Sequence, residues 1–336
     1  MLDLDGTDGG GQLVRSALTC SLLTGVGFEL AGVRGDRPTP GLKPQHLAAV
    51  DLAAAIGDAT VAGAELESES LRFDPGSPTA GEYAVDIGTA GSVTLLCDVV
   101  LPLAVRLDDP LTVTVTGGTD VEWSPPLDYL RHVKLPLLRQ RGWNVTLEVE
   151  RRGFYSVGGG ELTLSLAPST PRPFDLTERG DRVGASVYAV ESDHLAEADV
   201  ADRLASQASE GLRAGGWSVD AATETVASDS PGAVVVARLG YEEGVAGVSA
   251  LGEKGVPAED VADRAVEAAT SFESGPGAVD AHLADQLVLP VALVGGRVRS
   301  PEVTAHVETN VDLVRAFGFD VRVGDRVHGA VLRGPV

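Results

Sequence analysis

Asp5-Gly6-Thr7-Asp8-Gly9-Gly10-Gly11-Gln12-Leu13-Val14-Arg15-Ser16-Ala17-Leu18 passes from a glycine-rich turn into a run of apolar residues at helical spacing. Leu13, Val14, Ala17, Leu18 and Leu22 recur on one face, so the spacing predicts a buried helix over Gly11 to Leu23. Consecutive glycines ahead of a helix N-terminus bring backbone N–H groups close to an anion such as phosphate. Asp8 adds an oxygen ligand suited to Mg²⁺, which is commonly held by one or two carboxylates plus substrate phosphates. Arg15, one turn into the helix, reaches the same anion. Alone, the run matches neither the P-loop nor the dinucleotide fingerprint and reads first as a plain tight turn.

The same texture recurs outward from this unit. A second helix begins at Pro44, a residue suited to a first helical turn, and stops at Gly57. Short strands at Thr60 to Val61 and Leu71 to Phe73 complete the unit. A helix from Ser92 to Leu101, a strand from Leu111 to Thr116, a helix from Pro126 to Leu138 closing at Gly142, and strands Asn144 to Val149 and Glu161 to Leu166 follow. From Arg182 the pattern changes to strand Val183 to Val190, helix Leu195 to Leu212, strand Ala233 to Arg238 and helix Ala258 to Phe272. Ser274-Gly275-Pro276-Gly277 then leads to a helix from His282 to Val294 and a strand-helix unit from Val303 to Phe317. This predicts an α+β fold: a discontinuous repeated-unit domain, 1–181 and 276–336, interrupted by a smaller α/β domain, 182–275.

Charge narrows the setting. The chain carries 49 Asp plus Glu against 26 Lys plus Arg, a formal net charge of -23, and its only lysines are Lys43, Lys134 and Lys254. Such a balance repels RNA at long range and suggests a salt-loving source, because in molar salt the Debye length falls to about 3 Å and contact-range groups decide binding. Cys20 and Cys97 lie in apolar helical stretches with no metal or disulfide spacing, which fits a reducing cytoplasm. MLDLDGTDGG has no basic or apolar leader, and Asp or Gly interrupts every long apolar run, so a soluble chain without a membrane segment is expected.

Four further groups carry candidate chemistry. Arg34-Gly35-Asp36-Arg37-Pro38-Thr39-Pro40-Gly41-Leu42-Lys43-Pro44-Gln45-His46 places forked donors and a helix start where a phosphorylated ligand would be held. Gln45 and His46 face either that site or the interior. Arg151 to Glu161 joins two strands through a glycine triplet, and Gly117-Gly118-Thr119-Asp120 is a turn whose following Pro125-Pro126 offers an apolar wall for a base. Of six histidines, His46, His132, His194 and His282 fall on or beside helices and His328 on a late strand or turn. His306 differs, at the end of strand Val303 to Ala305, just before Thr309-Asn310, an N-cap pair for a helix from Val311 to Phe317.

Read in order, GGGQLVRSAL (Gly9 to Leu18), RGDRPTPGLKPQHL (Arg34 to Leu47), GTAGSVTLL (Gly88 to Leu96), GGTDVEWSPP (Gly117 to Pro126), RRGFYSVGGGEL (Arg151 to Leu162), HLADQLVLPVAL (His282 to Leu293) and HVETNV (His306 to Val311) resemble the RNA 3′-terminal phosphate cyclase family over nearly the whole chain. The resemblance implies three tandem units of a four-stranded sheet with two helices, plus a smaller inserted α/β domain. It implies ATP-dependent conversion of an RNA 3′-phosphate to a 2′,3′-cyclic phosphate, through adenylate carried on His306. Asp8 would hold a divalent metal, Mg²⁺ or Mn²⁺. Gln12, Arg15, Arg34, Arg37 and Gln45 would hold phosphates and RNA, and Asp285, Gln286, His282, Pro125 and Pro126 would lie at the adenosine. The implied partners are ATP and RNA with a 3′-phosphate end, with no membrane; a homo-oligomer is compatible. The family usually has Glu where this chain has Asp8, an aromatic where it has His282, and proline where it has Ser156. A catalytically silent relative acting in ribosome assembly would lack the nucleophilic histidine, which is present here as His306. A carboxyvinyl transferase of similar repeated units would have no reason for the H-x-x-T-N block.

Overall fold

The computed structural model describes residues 1–324 and 329–335. His328 lies outside the described residues. In the first unit, β1 (Leu2–Asp5), α1 (Gly11–Thr24), β2 (Phe28–Ala31), α2 (Pro44–Gly57), β3 (Thr60–Ala62) and β4 (Ser70–Asp74) form a sheet of order β1-β2-β4-β3. β1 and β2 are parallel, and the β2–β4 and β4–β3 pairs antiparallel. α1 ends where Gly25 turns into the left-handed region at φ 72°, a conformation glycine adopts without a Cβ penalty. Phe28 and Phe73 stack at 5.8 Å beneath the helices, and burying each ring contributes about 1.5–3 kcal/mol.

The second unit repeats the order. β5 (Gly81–Asp86), α3 (Val93–Val100), β6 (Leu111–Gly117), α4 (Leu127–Tyr129), α5 (Leu135–Arg141), β7 (Asn144–Arg151) and β8 (Gly160–Ala167) give a sheet β5-β6-β8-β7, again parallel at one edge and antiparallel elsewhere. Between α4 and α5 the turn Leu130–Lys134 is a π-helix. Pro136 has no N–H to return to the preceding turn, and the helix widens there.

After β9 (Phe174–Leu176) the chain builds a sheet of its own. β10 (Arg182–Ser192), α6 (Val200–Ala214), β11 (Val219–Val226), β12 (Ala233–Tyr241), β13 (Val245–Leu251) and α7 (Ala258–Ser274) give the order β11-β10-β12-β13. Val187, Leu204, Val235, Val261 and Phe272 form its core, whereas Val190, Val234, Val236 and Val245 point into the core of the rest of the molecule. Burial on both faces explains the uninterrupted run Ala233-Val234-Val235-Val236-Ala237. α8 (Ala281–Gln286), α9 (Val288–Val294), β14 (Gly296–Ser300), α10 (Ala305–Ala316), β15 (Arg322–Gly324) and β16 (Ala330–Arg333) follow, and β9 returns as the edge of a fourth sheet, β15-β16-β14-β9. Its β9–β14 pair is parallel and the others antiparallel. Among the described residues the architecture is α+β, with four sheets of four strands.

Three local expectations change. The strand expected at Val303 to Ala305 is absent: β14 stops at Ser300, before Pro301, and Thr304 starts α10 by accepting the Val307 N–H at 3.1 Å. Thr309 and Asn310 therefore lie inside the helix instead of capping it. The helix expected from Leu195 to Leu212 breaks at Asp199, whose φ of 48° separates a 3₁₀ turn from α6. The helix expected from His282 to Val294 divides at Leu287.

Candidate active site

α1, α2 and α10 each follow a strand, so their N-termini emerge at the carboxyl ends of β1, β2 and β14, the side of an α/β sheet where ligands collect. All three open into one cleft of about 1270 Å³. Gln12 and Arg15 from α1, Arg34 and Arg37 from the loop before α2, Gln45 from α2, Pro125 and Pro126 before α4, His282, Asp285 and Gln286 from α8, and His306 from α10 all line it. The positive ends of three helix dipoles and three arginines thus meet in one place in a strongly acidic chain.

Close approach of backbone makes this convergence possible. A Cβ on Gly11 would lie 2.0 Å from Nε2 of His46, so only glycine lets the start of α1 meet α2. A Cβ on Gly10 would lie 3.4 Å from Nη2 of Arg37 and 3.8 Å from Cε1 of His306, which places the glycine turn between those two side chains. Arg34 is held at φ 55°, and its Nη1 donates to the carbonyls of Thr39 at 2.9 Å and Gly41 at 3.1 Å. It therefore clamps its own loop while facing the cleft. The Asp36 N–H donates to the Thr7 carbonyl at 3.0 Å, tying that loop to the glycine turn.

His46 is buried, and its Nδ1 accepts the Lys43 N–H at 3.0 Å, which leaves the proton on Nε2. Burial, reinforced by the charges of Arg15, Arg34 and Lys43, lowers its pKa to about 3. It is a neutral spacer between the two helices.

His306 is the second residue of α10, at its positive end. One turn on, Asn310 is 7% exposed, and its Oδ1 has no hydrogen-bond partner among the described residues. Near His306, Gln12 donates from Nε2 to Oδ1 of Asp285 at 2.5 Å. Burial raises the Asp285 pKa, against the hydrogen bond from Gln12 and the neighbouring His306 and Arg15. Arg15 is itself lowered by burial and supported by Asp98 and Asp285. Lys134, buried, pairs with Asp98 at 2.5 Å.

Asp8 stands apart. It is exposed, outside the cleft lining, and its pKa is raised by the hydrogen bond and charge of Asp36 beside it. Among the described residues no group of three or more His, Cys, Asp and Glu side chains is arranged to hold a metal by itself. No helix of the described residues is long and apolar enough to cross a membrane.

Several lining residues carried no sequence signal of a site. Asp280 accepts from Tyr129 Oη at 2.9 Å, from the Gly247 N–H at 2.9 Å and from the Leu283 N–H at 2.9 Å. It thereby joins β13 to the start of α8. Asp three residues before Leu283 was readable as a helix cap, but its two distant donors were not. Gly247, Ser249 and Leu251 from β13 and Arg264 from α7 also line the cleft. Lys134 stood out only as one of three lysines, and Trp123 only as part of the Gly117 to Pro126 block, with no role of its own.

A family model for RNA 3′-terminal phosphate cyclase matches residues 7–323. The chain is 49% identical over 342 residues to the RNA 3′-terminal phosphate cyclase of Halobacterium salinarum, covering 98% of both chains. It is 38% identical to the protein of that name from Pseudomonas fluorescens, over 97% of this chain and 94% of the relative, and 37% identical to that of Pyrococcus furiosus, over 98% of each. Full-length matches of this depth, over a chain in which all the matched motifs but Arg151 to Leu162 contribute to one cleft, establish that it belongs to the RNA 3′-terminal phosphate cyclase family.

Proposed function

We propose that the chain is an ATP-dependent ligase that converts the 3′-phosphate of an RNA end to a 2′,3′-cyclic phosphate, releasing AMP and diphosphate. The observation that carries this reading is His306 at the positive end of α10, separated only by Gly10 from Arg37 and sharing a cleft with Arg15 and Arg34. An imidazole nitrogen of His306 attacks the α-phosphorus of ATP, a P–N bond forms, and diphosphate leaves. An oxygen of the RNA 3′-phosphate then attacks the same phosphorus, the P–N bond breaks, and a mixed anhydride joins RNA to AMP. Finally the 2′-OH loses its proton as it attacks the terminal RNA phosphorus, and AMP departs. Imidazole suits the first two steps because it is nucleophilic near neutral pH and leaves readily once protonated. The last step needs mainly positioning, since the hydroxyl is already next to its target.

Arg15, Arg34, Arg37 and the amides at the start of α1 stabilise charge developing on the phosphoryl oxygens. Gln12 and Gln45 orient the phosphates, while Asp285, Gln286, His282, Pro125 and Pro126 surround adenosine. The unpartnered Oδ1 of Asn310 fits a ligand donor inside the cleft. Asp8 and Asp36, exposed carboxylates side by side at the glycine turn, would hold a divalent cation, Mg²⁺ or Mn²⁺. Bound there, it would supply positive charge to the leaving diphosphate.

The shared strand order of three sheets supports reading the fold as three repeats, with 182–275 inserted between β9 and α8. The Halobacterium salinarum relative and the lysine-poor acidity support a salt-adapted protein, and two buried free cysteines are compatible with a reducing cytoplasm.

Intact mass after incubation with ATP and metal tests the mechanism. One adenylate, removed by acid and stable to base, is expected on the wild type and none on His306→Ala. No adduct on the wild type refutes the mechanism. An adduct on His306→Ala moves the role to another histidine, with His282 the next to examine.

A further inference from the structure

We propose that Trp123 is the stacking platform for a nucleobase of the RNA strand, on the solvent side of its 3′-phosphate; this rests on RNA being the substrate of the cleft. Tryptophan normally buries its ring, and the other two in this chain do: Trp143 is 2% exposed and Trp217 5%. Trp123 is 95% exposed while lining the cleft, and its backbone is held in the left-handed region at φ 59°. A bulky residue rarely adopts that conformation.

The loop that carries it is fixed to the phosphate end of the cleft. The Ser124 hydroxyl donates to the Val121 carbonyl at 2.9 Å, and the Thr94 hydroxyl donates to the Pro125 carbonyl at 2.8 Å. Thr94 in turn shares a 2.8 Å hydroxyl contact with Ser92, whose N–H donates to Oε1 of Gln45 at 3.3 Å. Hydrogen bonds through Pro125, Thr94 and Ser92 therefore fix the backbone of the loop that carries Trp123 relative to Gln45 and the helix starts beside it. ATP is small enough to be enclosed, whereas an RNA strand must leave the cleft across its rim, where Trp123 stands.

The interaction suits this charge balance. Phosphate contacts weaken steeply with salt, but stacking on an aromatic face does not depend on counterion release. With a net charge of -23 the chain has little long-range attraction to offer an RNA. A neutral contact that keeps its strength in salt holds the strand where added arginines would be screened.

The test uses a 5′-fluorescein oligoribonucleotide ending in a 3′-phosphate, with binding read by anisotropy for wild type, Trp123→Ala and Trp123→Phe. We expect Kd to rise about tenfold in Trp123→Ala and to stay within about threefold in Trp123→Phe. The factor should be the same in about 0.2 M and about 2 M KCl. Kd for ATP and the yield of protein adenylate should not change. Because Trp123 is the exposed tryptophan, RNA should also shield wild-type fluorescence from acrylamide. An unchanged RNA Kd in Trp123→Ala, with adenylation intact, overturns this inference and leaves the proposed function standing. An equal loss of ATP binding assigns the ring to adenine and overturns it too. Failure of the wild type to bind the oligoribonucleotide removes the proposed substrate and this inference together.

Discussion

Lowering the pH should weaken this protein at one identifiable place, the contact between α1 and α2. His46 is buried neutral, with Nδ1 committed to the Lys43 N–H and three cations around it, and its pKa falls to about 3. In the unfolded chain an imidazole titrates near 6.5. A base whose folded pKa is depressed contributes full stability above its unfolded value and loses it as the pH falls, because the unfolded state takes up the proton first. The window is therefore from about pH 6.5 down to about pH 3. At pH 5 the unfolded imidazole is protonated about thirtyfold over its neutral form while the folded one stays neutral, a loss of about 2 kcal/mol; at pH 7.5 the loss is near zero. His46→Asn keeps an acceptor for the Lys43 N–H and removes the titration. Urea unfolding followed by tryptophan fluorescence, at about pH 7.5 and about pH 5, should show wild type losing about 2 kcal/mol more than the variant. Equal losses would mean that His46 is charged in the fold and would refute the assignment of its tautomer.

Arg152, buried, donates to both oxygens of Asp128 at 2.7 Å and to Asp120 at 3.2 Å; Arg152→Met strands two buried carboxylates, and chemical denaturation should show a loss of about 3–5 kcal/mol. Gly11→Ala drives a methyl into the His46 ring, so unfolding should come about 1–3 kcal/mol earlier and adenylate yield should drop. Arg37→Ala should slow adenylation by about 100-fold with denaturation unchanged. Arg34→Ala should slow it too, and should also admit protease to residues 34–41, since its guanidinium holds the Thr39 and Gly41 carbonyls. Near-normal adenylation in both arginine variants at high salt removes these residues from the phosphate site.

The acidity of the chain and the proposed binding of anions in its cleft are compatible because they act over different distances. In molar salt the field of the surface carboxylates dies within about 3 Å. Gly10, Gly11, Arg15, Arg37 and the start of α10 act at contact range, inside a cleft where screening is weaker.

The sequence by itself determined the helices whose signals are local. Apolar spacing with Gly25 past the end set α1, Pro44 and Gly57 bounded α2, and Ala258 to Phe272 came within two residues of α7. It also held the glycine turn, the arginine loop and His306 of the cleft lining, because glycines, forked donors and histidines are recognisable as residue types, whereas Gly247, Arg264 and Asp280 of the same lining carried no such mark. Only the tertiary structure decided how those pieces meet. β9 pairs with β14, Phe174 opposite Gly296, and no local pattern encodes a partner that distant. Thr304 and Thr309 are equally good helix caps by composition; Pro301 ending β14 and the packing of Val307 and Val311 chose the first, which put His306 on the helix instead of before it. Asp8, one residue from the glycine turn, lies outside the lining because the turn carries its side chain to Asp36. Helix signals lie within a few residues of what they control, whereas the position of a side chain relative to a cleft depends on backbone pairs that close across the whole chain.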